Sequence, residues 1–224
     1  MRLNTEFDEY IYRNRYLLLL IATFIQVFLV SFFPAKSLPF IDTLSFSFFM
    51  LANINLIRHS KKIIYGMIFF ALISVILAWI PEQSDLGQQI FPYEKLIVII
   101  FVGVIISQII GQISKSKIVD ANVLYGVITI YILFGIVAGE TNVLIFHFDN
   151  SAFTGNIDPS DPSDFRYFSY VTMTTLGFGD ISPVSNLARA SAVFFSLVGQ
   201  IYLAVIIAFI VGKYVSQSDK KETE

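Results

Sequence analysis

Apolar residues gather along this chain into six runs, at 16–33, 40–57, 63–80, 96–113, 122–139 and 190–212. Each run holds 18 to 23 residues, which as helix reaches about 27 to 35 Å, enough to cross the hydrocarbon core of a bilayer. The pattern therefore predicts six membrane-spanning helices. The second run is interrupted by Asp42, Asn53 and Asn55, whose polar side chains are expected to face other helices. Between the fifth and sixth runs the pattern changes. Residues 140–160 are polar and carry the turn formers Asn150-Ser151, Gly155-Asn156 and Asp158-Pro159, which predicts an exposed turret. Asp161-Pro162-Ser163-Asp164 then reads as a helix start: a capping acid, a proline at the first helical position and an acid in the first turn. A helix from there to Thr174 is about 20 Å long, too short to cross and suited to re-entry. Its C-terminal, negative dipole end would favour a cation near the membrane centre.

That short helix delivers Thr174-Thr175-Leu176-Gly177-Phe178-Gly179-Asp180. Irregular backbone at membrane depth survives only where it lines water or is buried in protein. Gly177 and Gly179 reach backbone regions closed to other residues, so consecutive carbonyls can turn toward one axis. The Thr175 hydroxyl can add one more oxygen. A dehydrated cation is the partner such a row of oxygens suits.

Composition agrees with a membrane setting. The chain is 55% hydrophobic and 14% charged, with a mean hydropathy of +0.70. A net charge of −2 gives no basic footprint for nucleic acid, and the absence of cysteine excludes disulfides and thiolate metal sites. No nucleophile with a base and no metal-ligand cluster points to an enzyme, and no cofactor is expected. With the N-terminus inside, eleven of the fifteen Lys and Arg fall on the cytoplasmic side: Arg2, Arg13, Arg15, Arg58, Lys61, Lys62, Lys115, Lys117, Lys213, Lys220 and Lys221. Both termini are thus expected to be cytoplasmic in a multi-pass protein of the cell membrane. The first run is longer than the apolar core of a signal peptide and no A-x-A-like site follows it. It is read as a span.

The stretch from Phe165 to Gly212 resembles the pore loop and inner helix of the potassium channel superfamily. Thr-Leu-Gly-Phe-Gly-Asp at 175–180 is similar to that family's Thr-Val-Gly-Tyr-Gly-Asp, and it follows an aromatic segment and precedes a glycine-containing apolar run. The resemblance implies an all-α membrane fold in which four chains each supply one loop whose carbonyls replace the hydration shell of K+. The implied filter is Thr175, Leu176, Gly177, Phe178 and Gly179, supported by Tyr167, Phe168, Thr174 and Asp180. Phe178 lacks the family's tyrosine hydroxyl, so its ring is expected to pack against Phe168. Val171 stands where some members carry a glutamate, leaving Tyr167 as the candidate partner of Asp180. Such a filter is expected to be less firmly braced and to inactivate or flicker. Gly199 resembles the family's gating hinge, with close helix packing as the alternative reading. Gln200 is placed near the central cavity or in an interhelical hydrogen bond. Leu203, Ile207 and Val211 repeat at fourfold spacing and could form a hydrophobic constriction.

The expected organisation is a cytoplasmic N-terminus at 1–15, a four-helix membrane domain without sensor charges at 16–113, a short cytoplasmic linker at 114–120, a pore domain at 121–214 and a cytoplasmic tail at 215–224. The fourth run carries no charge, so steep voltage dependence is not expected. With a linker this short, the first four helices should pack beside their own pore domain. About twelve residues follow Gly212, too few for a ligand-binding domain, so a stimulus acts on the membrane part or through a separate regulatory subunit. His147 in the turret is a candidate proton sensor. The leading expectation is a homotetrameric potassium-selective channel in the lipid bilayer. The alternatives are a weakly selective cation channel and a non-conducting subunit of another channel.

Overall fold

The computed structural model describes residues 13–29, 39–54, 61–80, 84–116, 120–158, 161 and 163–222. In chain order the helices are α1 (Arg15–Phe24), continued by a π-helical turn at Ile25–Leu29, then α2 (Pro39–Ile54), α3 (Lys61–Ala78), α4 (Asp85–Ser114), α5 (Ala121–Phe148), α6 (Ser163–Met173) and α7 (Asn186–Glu222). Strands β1 (Phe153–Gly155) and β2 (Ile181–Pro183) pair antiparallel, with Thr154 opposite Ser182.

Helix α5 is the hub. Among the described residues it packs on α1, α4, α6 and α7 of its own chain, so two of the leading helices lie directly against it. Its start is fixed by Asp120, whose Oδ1 accepts the Val123 N–H at 2.9 Å. Helix α4 starts in the same way, with the Ser84 hydroxyl accepting the Gly87 N–H at 3.0 Å. Along α4, Val98, Phe101, Val102, Ile105, Ile109 and Ile113 are buried, a stripe at helical spacing. It meets Val123, Val127, Ile130 and Leu133 of α5, with Tyr16 and Leu19 of α1 and Phe49 and Met50 of α2 completing one core. Where lipid tails replace water outside, that core is held by close packing rather than by the hydrophobic effect.

Three helices are long and apolar enough to cross a membrane among the described residues: Asp85–Ser114, Ala121–Phe148 and the first part of α7, Asn186–Ile206. The others are shorter. α2 has 16 residues and α3 has 18, against the roughly 20 that a perpendicular crossing needs.

Several expected boundaries move. The fourth helix begins at Asp85, eleven residues before the apolar run at 96–113, and runs through Pro92, so Lys95 is helical and not in an outer loop. The fifth helix continues to Phe148, past Gly139, so the turret begins only at Asp149. His147 therefore lies in the last turn of α5, its ring centroid 5.1 Å from that of Phe91. The amides of the second run also behave differently from expectation. Asn53 is fully buried, but its Nδ2 donates to the Phe49 carbonyl of its own helix at 2.6 Å. The interhelical bond is made instead by Ser45, which donates to Gln26 Oε1 at 2.8 Å. Asp42 and Asn55 lie outside the described side chains.

A polar pin joins α5, α6 and α7. Asn142 on α5 is buried, its Nδ2 donating to Ser169 Oγ of α6 at 3.1 Å and its Oδ1 accepting from Ser191 Oγ of α7 at 2.9 Å. Asn142→Leu removes the acceptor of the Ser191 hydroxyl, while Ser169 keeps its bond to the Phe165 carbonyl, and should cost about 1–2 kcal/mol. A thermal midpoint clearly below wild type in detergent is the expected reading; an unchanged midpoint would remove the pin from the account.

Candidate functional site

The short helix α6 is seated by its side chains. At its start Asp161 Oδ1 accepts the Ser163 N–H at 2.9 Å, and Asp164 Oδ2 accepts the Asp158 N–H at 2.7 Å. Burial pushes the Asp164 carboxyl above its ordinary range; the Asp158 N–H lowers it, and Asp161, Asp158 and Asp180 raise it again. Carboxylates thus gather at this outer end. Farther along, the Tyr170 hydroxyl donates to the Ile132 carbonyl of α5 at 2.8 Å. The Tyr170 ring occupies the space that a Cβ on Gly135 would need, so the glycine is what lets the two helices approach.

The loop after α6 is tied backward to that helix. The N–H of Thr174 donates to the Tyr170 carbonyl at 2.9 Å, that of Thr175 to Thr172 at 3.1 Å, and those of Leu176 and Gly177 to Val171 at 3.0 and 3.4 Å. In a trans peptide the N–H of one residue points opposite to the C=O of the residue before it. The carbonyls of Thr174, Thr175 and Leu176 therefore face away from α6. The backbone alternates as well: Thr175, Gly177 and Gly179 have φ of 61°, 55° and 79°. In an extended chain successive carbonyls point to opposite sides, and a left-handed residue at every second position is what turns them to one side. Two of these positions are glycine. Thr175 is β-branched and pays for its left-handed backbone with strain, which persists only where surrounding bonds over-determine it.

The structure brings some of the sequence-derived residues together and separates others. The Tyr167 hydroxyl donates to Asp180 Oδ2 at 2.8 Å. The Thr174 hydroxyl turns back to the Tyr170 carbonyl at 2.7 Å. Phe168 does not reach Phe178. It is buried against Phe153, with ring centroids 5.5 Å apart, while Phe178 is 66% exposed in the single chain. The reason is the β1–β2 pair, which lays the turret over the outward face of α6 and claims Phe168 for that core. Gly155 permits this pairing, since its φ is 127° and a Cβ there would run into the Asp180 carbonyl.

On α7, Gly199 lies against the end of α6. A Cβ at Gly199 would stand 2.7 Å from the Met173 carbonyl oxygen, and Ser196 donates to the Thr172 carbonyl at 3.1 Å. The helix passes through Gly199 unbroken. Close packing against α6 is one role this glycine has. Gln200 and Leu203 are exposed in the single chain; the side chains of Ile207 and Val211 lie outside those described.

A charged group near the C-terminal end of α5 went unread in the sequence. Lys95 on α4 is 3.0 Å from Glu94 and 3.7 Å from Glu140 of α5, and Arg166 of α6 is buried beside Gly139. Lys95 thus pairs with acids of two helices, as a buried charge must find a partner. The available signal was that Glu140-Thr141-Asn142 only briefly interrupts apolar sequence, which resumes at Val143-Leu144-Ile145-Phe146.

Residues 126–216 match a family model described as ion channel. The match begins in the first turns of α5, takes in β1, α6, the glycine-bearing loop and β2, and ends within α7. This part of the protein is similar to ion-channel domains, and its resemblance to the potassium channel superfamily rests on the whole helix, loop and helix unit rather than on one motif. Taken with the long apolar helices, it makes this a membrane protein concerned with ion transport. No curated protein matches the chain.

Gly199→Ala separates packing from hinge. Packing predicts a loss of about 1–3 kcal/mol from the forced contact and a lower thermal midpoint. A hinge predicts a midpoint unchanged or raised, because alanine is the better helix former. Tyr167 supplies a pH prediction. Its hydrogen bond to Asp180, with a smaller desolvation contribution, raises its phenol above the ordinary value, so the bond is complete below the usual tyrosine range and is lost as pH rises through the elevated one. The protection of the amides after Asp180, taken as the exchange rate corrected for base-catalysed intrinsic exchange, should be flat from neutral to mildly alkaline pH and fall only in stronger alkali. Tyr167→Phe should exchange fast already at neutral pH.

Proposed function

We propose that four copies of this chain form a passive, potassium-selective channel in the cell membrane, with residues 175–179 of each as the filter. The single observation that carries the reading is the loop itself. The N–H groups of Thr175, Leu176 and Gly177 are consumed by α6, the loop backbone is left-handed at every second residue, and the carbonyls of Thr174, Thr175 and Leu176 are thereby released in one direction. One loop offers oxygens on one side only, so a closed cage around an ion needs a ring of them. The Thr175 hydroxyl is assigned to the inner end, and K+ is the permeant ion, with no cofactor.

Six crossings with both termini cytoplasmic remain the preferred topology, with α1, α2 and α3 joining the three long helices. Helix α4 has one basic residue, Lys95, and it is paired near the outer end. That supports a channel not driven by a charged voltage sensor. Exposed Val193, Phe194, Leu197 and Ile201 on α7 give the inner helix an apolar face toward neighbouring copies or lipid. One observation favours weaker cation selectivity as a second reading: Phe178 has neither a hydroxyl nor a packing partner in Phe168. Reversal potentials in mixed K+ and Na+ decide between the two.

The central test is K+ flux into liposomes holding the purified chain, beside Gly177→Ala. Alanine in a left-handed backbone costs roughly 1–2 kcal/mol in each subunit, so flux should fall by more than about tenfold. Equal flux through both proteins would overturn the filter assignment.

A further inference from the structure

A cavity of about 710 Å3 lies where the start of α1, the end of α4 and the start of α5 meet. It is far along the chain from the candidate filter and plays no part in it. Its wall includes Arg13 and Arg15, one acid, Asp120, and the polar groups of Gln112, Asn122 and Tyr125. The acid is engaged in capping α5 through the Val123 N–H. Gln112 is a fixed point of the wall, its Oε1 accepting from Arg15 Nε at 3.2 Å and from the Tyr16 hydroxyl at 2.9 Å. The Arg15 guanidinium lies 4.5 Å from the centroid of the Tyr16 ring. Arg13 is exposed. Asn122 Oδ1 is buried and has no hydrogen-bond partner among the described residues.

From this juxtaposition we infer that the cavity is a binding site for a phospholipid headgroup that carries both a phosphate and a hydrogen-bond donor. Arg13, exposed at the rim, supplies the charge that a phosphate needs. The orphaned Asn122 oxygen asks for a donor, which an ethanolamine ammonium or a glycerol hydroxyl provides and a choline does not. The location supplies the rest. On the reading of α4 and α5 as spans, the site between the end of one and the start of the other lies at headgroup level, and basic pockets between membrane helices at that level take such groups. An occupant would bridge α1, α4 and α5, the hub of the pore domain.

The test uses the purified full-length protein in detergent with short-chain phosphatidylglycerol, phosphatidylethanolamine and phosphatidylcholine, and separately with inorganic phosphate, read by native mass spectrometry and thermal shift. Phosphatidylglycerol and phosphatidylethanolamine should be retained over phosphatidylcholine. Arg13→Ala should weaken phosphatidylglycerol binding by about fivefold, the factor one basic side chain contributes at an anionic lipid surface. Asn122→Ala should erase the preference for donor-bearing headgroups, with an unchanged circular dichroism spectrum showing that the variant is folded. Equal retention of all three lipids, or an unaltered Arg13→Ala, would overturn the assignment. Inorganic phosphate binding as tightly as lipid would give the cavity to a soluble ligand instead. None of these readouts involves ion flux, so a protein that binds lipid but does not conduct sinks the channel reading and leaves this one standing.

Discussion

A backbone N–H placed in a medium without water must find an acceptor within the protein. The pore-domain architecture follows from how this chain meets that demand after Met173. Helix α6 ends with carbonyls that lack partners of their own, and the N–H groups of Thr174 to Gly177 take them up. Each end satisfies the other. The carbonyls of Thr174, Thr175 and Leu176 are left on the side turned away from α6. An acceptor-rich surface is thus a product of solving the donor problem first.

That solution needs α6 to be held still, and α5 holds it. Tyrosine hydroxyls perform much of this work. Tyr170 donates to the Ile132 carbonyl, and Tyr202 of α7 donates to the Val127 carbonyl at 2.6 Å. These bonds exploit the second lone pair of carbonyls already used within the α5 helix, so no helical bond is given up. Asn142 adds the third tie and Lys95 brings α4 into the same assembly. The leading helices are therefore connected to the pore domain through its outer helix, by packing over most of its length and by charge near its outer end.

Much of this was legible in the sequence because it is written in periodicity and composition. The three long apolar helices, the capped start of α6 and the glycine alternation at 177 and 179 all follow from local rules. What was not legible depends on neighbours. The continuation of α5 to Phe148 was hidden because Glu140 and Asn142 read as the onset of a polar loop, while in the fold they are buried among partners on other helices. Phe168 was assigned to Phe178 because nothing in the three-residue strands β1 and β2 has enough length to show a period, and their pairing is what diverts that ring. Asn53 found its own helix where a partner across the interface was expected. Thr175 carries no signal of its left-handed backbone, since threonine avoids that region unless bonds elsewhere impose it.

The contact between Gly199 and the Met173 carbonyl gives α7 a fulcrum. A helix of 37 residues, about 55 Å long, bears on the end of α6 roughly a third of the way along its length. The long arm extends beyond that point toward the C-terminus, and the short arm is fastened beside the turret through Ser191. Swinging the far end of such a lever presses or relieves the very turn from which the glycine loop hangs. A displacement of the long arm of α7 would therefore be felt at the end of α6 through the Gly199 contact.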